Sequence, residues 1–280
     1  MSGPVLTTFQ GQPALALRAA DGARATILLH GAHLVSWIPA GGEEQLYLSP
    51  TARYGAGASV RGGVPVIFPQ FNARGPLPRH GLARSRTWEA VETTRRGDLA
   101  IAVLRLTDTD ETRALWPQGF EAEMTFVVAG AHLEMELAVT NTGDTPFTFT
   151  AALHTYLRCN DALKVQLEGL QNREFEDALA GGEIKQQWGD VLTLAGEIDR
   201  VYHAVENPLT LRELGRRLGI AAREFEDVVV WNPGPEQAAK LADMPDEDWQ
   251  GMLCVEAARI AHPVTLAPGG EWAGMQALTA

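Results

Sequence analysis

The strongest constraint on the fold is a period of two. Leu133, Met135, Leu137 and Val139 fall on one face of an extended chain, with His132, Glu134, Glu136 and Ala138 on the other. Successive side chains of a strand point to opposite faces, so this alternation predicts a half-buried antiparallel strand. Short β-like runs recur at 25–29, 34–38, 46–48, 100–106, 122–128, 133–141 and 147–157. They continue at 163–167, 191–194, 209–212, 228–231 and 264–266. Turn chemistry separates them, as in Ala40-Gly41-Gly42, Asn141-Thr142-Gly143-Asp144, Gly181-Gly182 and Pro268-Gly269-Gly270. Many short strands at regular spacing predict an all-β fold, a large antiparallel sandwich or barrel with few short helices.

Helical signal is confined to Pro235–Ala242 and Pro245–Met252, where Pro opens each run and acids cluster early. Residues 213–226 fit either an amphipathic helix or a hairpin turning near Leu214-Gly215-Arg216, and the surrounding strands favour the hairpin. No internal repeat or Ser/Gly/Pro-rich linker divides the chain, so residues 1–280 read as a single domain.

A net charge of −12 argues against a nucleic-acid partner, which would call for a broad basic face. The longest apolar runs are too short to span a bilayer. The first 22 residues lack a basic start followed by an apolar block, so no secretory signal is expected. Cys159 and Cys254 lie far apart inside apolar runs, without metal-like spacing. They read as small buried residues in a reduced, cytoplasmic setting. No amphipathic partner helix stands out, so a monomer is expected.

One segment breaks the acidic character of the chain. Residues 45–88 contain no Asp, Glu or Lys but six arginines: Arg53, Arg61, Arg74, Arg79, Arg84 and Arg86. The segment is also dense in Gly and Pro. Guanidinium groups alone suit forked, planar recognition of a phosphate or carboxylate. Solvated surface arginines are the plainer alternative. Arg61-Gly62-Gly63 and His80-Gly81-Leu82-Ala83-Arg84 have the strongest local logic, because glycine permits a close backbone approach.

Three further groups could carry chemistry. His154 interrupts a run of small, apolar and aromatic residues, as a proton-transfer group or as a hydrogen-bonded core histidine. Glu256 lies between Val255 and Ala257, where burial would raise its pKa and make it a usable base; on an alternating strand it could instead face solvent. Asp199 could accept hydrogen bonds from sugar hydroxyls, pair with Arg200 or cap a turn. His30-Gly31-Ala32-His33 is the closest His pair, but on a strand positions i and i+3 point apart, so it would need a turn to chelate. There is no GxSxG elbow, P-loop or GxGxxG fingerprint, and neither a metal nor a cofactor is expected.

Several segments, in order, carry a family resemblance. They are His30-Gly31-Ala32-His33 followed by Ser36-Trp37, RGGVPVIFPQF at 61–71, GPLPRHGLAR at 75–84 and ALHTYL at 152–157. EIDRVY at 197–202, VVVWNP at 228–233, MLCVEA at 252–257 and PVTLAPGGEW at 263–272 complete the set. The chain resembles the glucose-6-phosphate 1-epimerases, or hexose-6-phosphate mutarotases, of the aldose 1-epimerase superfamily. That resemblance implies a β-supersandwich and interconversion of the α and β anomers of an aldohexose 6-phosphate. It implies His154 and Glu256 as the catalytic pair, and Arg61, Arg84 and Asp199 as substrate-binding residues. His80 corresponds to a sugar-contacting histidine of the wider superfamily. Arg79 stands where relatives often carry Gln, adding a cation beside the expected phosphate. The alternatives are a binding protein of the same fold without catalysis, and an epimerase of non-phosphorylated sugars.

Overall fold

A computed structural model describes residues 5–55 and 57–280; the first four residues of the amino-terminal segment and Ala56 of the arginine-rich one lie outside. Among the described residues the strands form antiparallel sheets of four, eight and nine strands, a β-supersandwich. The alternation at 132–141 is realised in the nine-stranded sheet. Strand His132–Asn141 buries every second residue and pairs with Phe120–Ala129 on one side and Glu271–Thr279 on the other. One contiguous core draws Ile27 and Trp37 from the four-stranded sheet, Leu153 and Val255 from the eight-stranded sheet, and Leu137 and Leu278 from the nine-stranded sheet. Within it Phe68 meets Phe120 and Phe149, and the partly buried Trp116 at the margin, in edge-to-face contacts of 5.2–5.5 Å, a geometry that aromatic quadrupoles favour.

The eight-stranded sheet is organised by the long strand Met252–Leu266. It pairs with Asp227–Asn232 on one edge, and with Phe147–Leu153 and then Tyr156–Arg158 on the other. The run expected at 147–157 is therefore two strands, broken at His154-Thr155. Buried hydrogen bonds hold the break. The His154 N–H donates to the Pro65 carbonyl at 3.0 Å, and the Val255 N–H to the Thr155 carbonyl at 3.0 Å. The Thr155 hydroxyl donates to Gln276 Oε1 at 2.5 Å, and Gln276 Nε2 donates to the Val255 carbonyl at 3.0 Å. Gln276 belongs to the nine-stranded sheet, so this network ties the break to the opposite layer. An unpaired polar group would be costly at this depth, which makes the network mutually dependent.

Residues 209–223 form the expected hairpin, with Leu214 99% exposed at its tip. Several local expectations are corrected. Residues 46–48 make only isolated bridges, to Leu157 and Gly62. Residues 162–164 form a 3-10 turn ahead of the short strand Gln166–Glu168. The helices expected at 235–242 and 245–252 shrink to Gly234–Ala238 and the 3-10 turn Asp248–Gly251, because Met252 already opens the long strand. Helix Asp110–Leu115 was not anticipated; its signal is the capping box between Thr109 and Thr112. Among the described residues no helix is long and apolar enough to cross a membrane.

Candidate active site

One open cavity of about 240 Å³ is lined by Arg61, Arg79, His80, Arg84, His154, Asp199 and Glu256. All seven residues singled out from the sequence thus meet in one place. Glu256 projects from the long strand and is 2% exposed, which removes the solvent-facing alternative. His154 occupies the strand break, and the break turns its ring into the cavity rather than along the sheet. Asp199 and Arg200 are neighbours on strand Ile198–Tyr202 and so face opposite ways. Asp199 faces the cavity, while the Arg200 guanidinium lies over the Phe175 ring at 4.4 Å and donates to the Tyr202 hydroxyl.

His154 Nδ1 lies 3.2 Å from Glu256 Oε1, but the two are misaligned for a hydrogen bond, and His154 Nδ1 and Glu256 Oε2 are buried without a partner. Burial holds the Glu256 carboxyl well above the usual carboxylate range, helped by the negative Asp199 and opposed by Arg79 and Arg84. Burial likewise holds His154 well below its ordinary value, reinforced by His80, Arg84 and Arg61. Both directions favour neutral side chains, with the pair's one shared proton resting on Glu256. His154 stacks on Tyr156 at 4.7 Å and meets Trp231 edge-on at 6.0 Å.

His80 sits at φ +66°, and its Nδ1 accepts from the Asn72 N–H at 3.3 Å. Burial and the cations of Arg84, Arg79 and Arg61 lower its pKa to about 3. The ring is therefore neutral, with its proton on Nε2. The next residue, Gly81, has φ +72°, and a Cβ there would lie 2.3 Å from the Phe68 carbonyl oxygen. The glycines at 62–63 play the same packing role: a Cβ on Gly63 would lie 2.2 Å from the Leu34 oxygen. Close approach at these glycines is to the chain itself, where an anion was expected.

A turn at Gly31-Ala32 does separate His30 from His33, yet each is used singly. His33 Nε2 contacts the Gly62 carbonyl at 2.7 Å, and His30 Nε2 the Ala58 carbonyl at 2.8 Å. Burial lowers the His33 pKa to about 4, so a neutral ring donates from Nε2 and braces the chain beside Arg61.

The six arginines divide. Arg74 pairs with Glu176 at 2.6 Å, Arg86 with Glu111 at 3.1 Å, and Arg53 is exposed. Arg61, Arg79 and Arg84 remain at the cavity, with Arg84 donating to the Arg79 carbonyl at 2.9 Å. A carboxylate from far along the chain reaches this group despite the acid-free segment. Asp243 Oδ1 accepts from Arg61 Nε at 3.3 Å and lies 3.2 Å from its NH2, while the Tyr156 hydroxyl accepts from NH1 at 3.1 Å. Guanidinium has five N–H donors, so one on each terminal nitrogen stays free, a fork suited to an anion. Ser49 Oγ holds the Asp243 carbonyl at 2.7 Å.

Phe71, Asn72, Tyr156, Glu197, Val229, Trp231, Gln237 and Leu241 complete the lining, and none of them was singled out from the sequence. Trp231 is the readiest of these to find, as the aromatic end of the run 228–231. Cys254 is 0% exposed, with its sulfur within 4.8 Å of a donor atom of His154 and of Glu256. In combination, the cavity offers an acid–base pair at its floor, a carboxylate at one wall and guanidinium donors at another.

The profile of the family described as aldose 1-epimerase matches residues 13–279. A protein of Cenchrus ciliaris with the provisional name glucose-6-phosphate 1-epimerase is 33% identical over 286 residues, covering 99% of this chain and 87% of that one. One of Escherichia coli, under the same provisional name, is 35% identical over 239 residues, covering 84% and 79%. The crystal structure of YeaD from Salmonella typhimurium, provisionally named a mutarotase, superposes with a TM-score of 0.91 at 28% identity, covering 99% and 93%.

Proposed function

The chain belongs to the aldose 1-epimerase family, and we propose that it interconverts the α and β anomers of an aldohexose 6-phosphate, glucose 6-phosphate first among them. The observation that carries this reading is the convergence of an acid–base pair and three arginines on one cavity.

In this reading Glu256 takes the proton of the anomeric hydroxyl while His154 protonates the ring oxygen. The C1–O5 bond breaks, the aldehyde forms, the C1–C2 bond rotates, and closure returns the protons with the two groups in reversed roles. One positioned acid or base contributes roughly 10²–10⁴-fold. The reaction begins with Glu256 ionised and His154 protonated, so the shared proton must move from glutamate to histidine. Burial, with His80, Arg84 and Arg61 behind it, holds His154 neutral. A phosphate dianion on those same guanidiniums would cancel their field and favour the protonated imidazole. The 6-phosphate would thus both anchor the sugar and arm the acid. Arg61 and Arg84 grip the phosphate, with Arg79 as a third cation. Asp199 and His80 Nε2 contact sugar hydroxyls.

Exchange spectroscopy of glucose 6-phosphate anomers by NMR tests this. Glu256→Gln and His154→Ala should each slow exchange by at least about 100-fold. Exchange at the wild-type rate in both variants would overturn the assignment. Faster exchange of free glucose than of glucose 6-phosphate would move the substrate to neutral sugars. Sugar binding without any exchange would leave a binding protein of this fold.

A further inference from the structure

The cavity floor holds a third potential ligand that proton transfer does not use. On the long strand Cys254 and Glu256 are two residues apart and share a face, and His154 enters from the broken neighbouring strand. One donor atom from each lies within 4.8 Å of the others, and all three residues are buried. His154 Nδ1 and Glu256 Oε2 make no hydrogen bond. Imidazole, thiolate and carboxylate are the donors that tetrahedral zinc accepts, with metal–ligand distances of about 2.0–2.3 Å. Drawing the three donors onto one ion requires side-chain shifts of only about 1 Å at that geometry. The fourth position would open onto the cavity. The thiolate selects against hard cations such as Mg²⁺ or Ca²⁺.

We propose that His154, Cys254 and Glu256 form an inhibitory site for a thiophilic divalent cation of the zinc class. Binding exchanges the Cys254 thiol proton, and the proton shared by Glu256 and His154, for the metal, and both protons leave to solvent. The histidine lone pair and the carboxylate are then committed to the ion, so neither can serve the sugar. Because the ligands must give up these protons, affinity rises with pH. The inhibition rests on the catalytic reading above, whereas the site itself does not.

The test titrates the full-length protein with Co²⁺ and follows the thiolate-to-cobalt charge-transfer absorption. We expect one equivalent to bind and Zn²⁺ to displace it. Cys254→Ser should abolish the band and Glu256→Gln should weaken binding by about 100-fold, the upper end of what losing even a supporting partner costs. Cys159→Ser, at the other buried cysteine, should leave both unchanged. Zn²⁺ should slow anomer exchange, a chelator should restore it, and Cys254→Ser should blunt the inhibition relative to its own metal-free rate. A missing band, or inhibition equally strong in Cys254→Ser, would overturn the proposal. If Cys254→Ser does not fold, the isosteric Glu256→Gln decides by direct metal titration. A band without any anomer exchange would keep the metal site and refute the catalytic reading.

Discussion

Replacing Asp199 by Asn should stabilise the protein while impairing it. Burial pushes the Asp199 carboxyl from 3.8 up to about 6, with Arg79 opposing the shift. The folded state therefore binds this proton more tightly than the unfolded chain. Stability is lost as pH rises from about 4 through about 6, and the deficit persists above that range. A shift of about two units corresponds to about 3 kcal/mol at 1.4 kcal/mol per unit. Asp199 is partly exposed at the cavity wall, so solvent screening reduces this to about 1–2 kcal/mol. The asparagine side chain is a near-isostere of aspartate without the charge. Urea unfolding of both proteins should therefore show equal stability near pH 4 and a gain of about 1–2 kcal/mol for Asp199→Asn near pH 8. A difference that does not change with pH, or a variant less stable near pH 8, would refute the reasoning. The same variant should bind sugar more weakly, having lost an ionic acceptor. The Asp199 charge also helps to raise Glu256. Its removal should move the basic limb of the kcat/KM profile to lower pH, because the pair works with one proton and loses it sooner.

Arg84→Ala should raise KM for glucose 6-phosphate by at least about tenfold, the value of one charge-assisted contact, with little change for free glucose; steady-state exchange rates for both sugars check this. Asp243→Ala and Asp243→Asn separate position from charge at Arg61. Ala should raise KM for the phosphorylated sugar by freeing the guanidinium, and Asn, which keeps an acceptor and removes a negative charge, should leave it unchanged or lower it. Gln276→Leu should cost about 1–3 kcal/mol in urea unfolding by stranding the Thr155 hydroxyl, and should slow exchange through displacement of His154.

The strands that alternate were legible because their burial is one-sided: 132–141 reads directly off its sequence. The break at His154-Thr155 was hidden because both halves are apolar and pair with the same long strand. What stops the ladder there is a side-chain network to Gln276, 121 residues away, which local pattern does not register. The seven site residues were found partly through chemistry out of place, such as a carboxylate in an apolar run, and partly through family resemblance. Asp243 was missed because it gains its contact from a partner distant in sequence, Arg61. Cys254 is buried as its apolar run predicts, and only the fold brings it near His154. The acid-free segment at 45–88 located the cations correctly but gave no sign that an outside carboxylate would hold one of them.

Glu256 rides on a strand paired along both edges, and His154 is fixed between strands pairing with that same one. Arg61, Arg79 and His80 come from loops and Arg84 from the short 3-10 helix Ala83–Ser85, all outside the ladders. In the proposed reading, proton transfer and phosphate recognition are therefore mounted on different mechanical supports. Changes between residues 72 and 79 can reshape which anion is gripped, and where, without touching Pro65 or strand Val66–Ile67, which support His154. A lineage built this way can change substrate without reinventing its reaction, and a laboratory can attempt the same by exchanging that stretch alone.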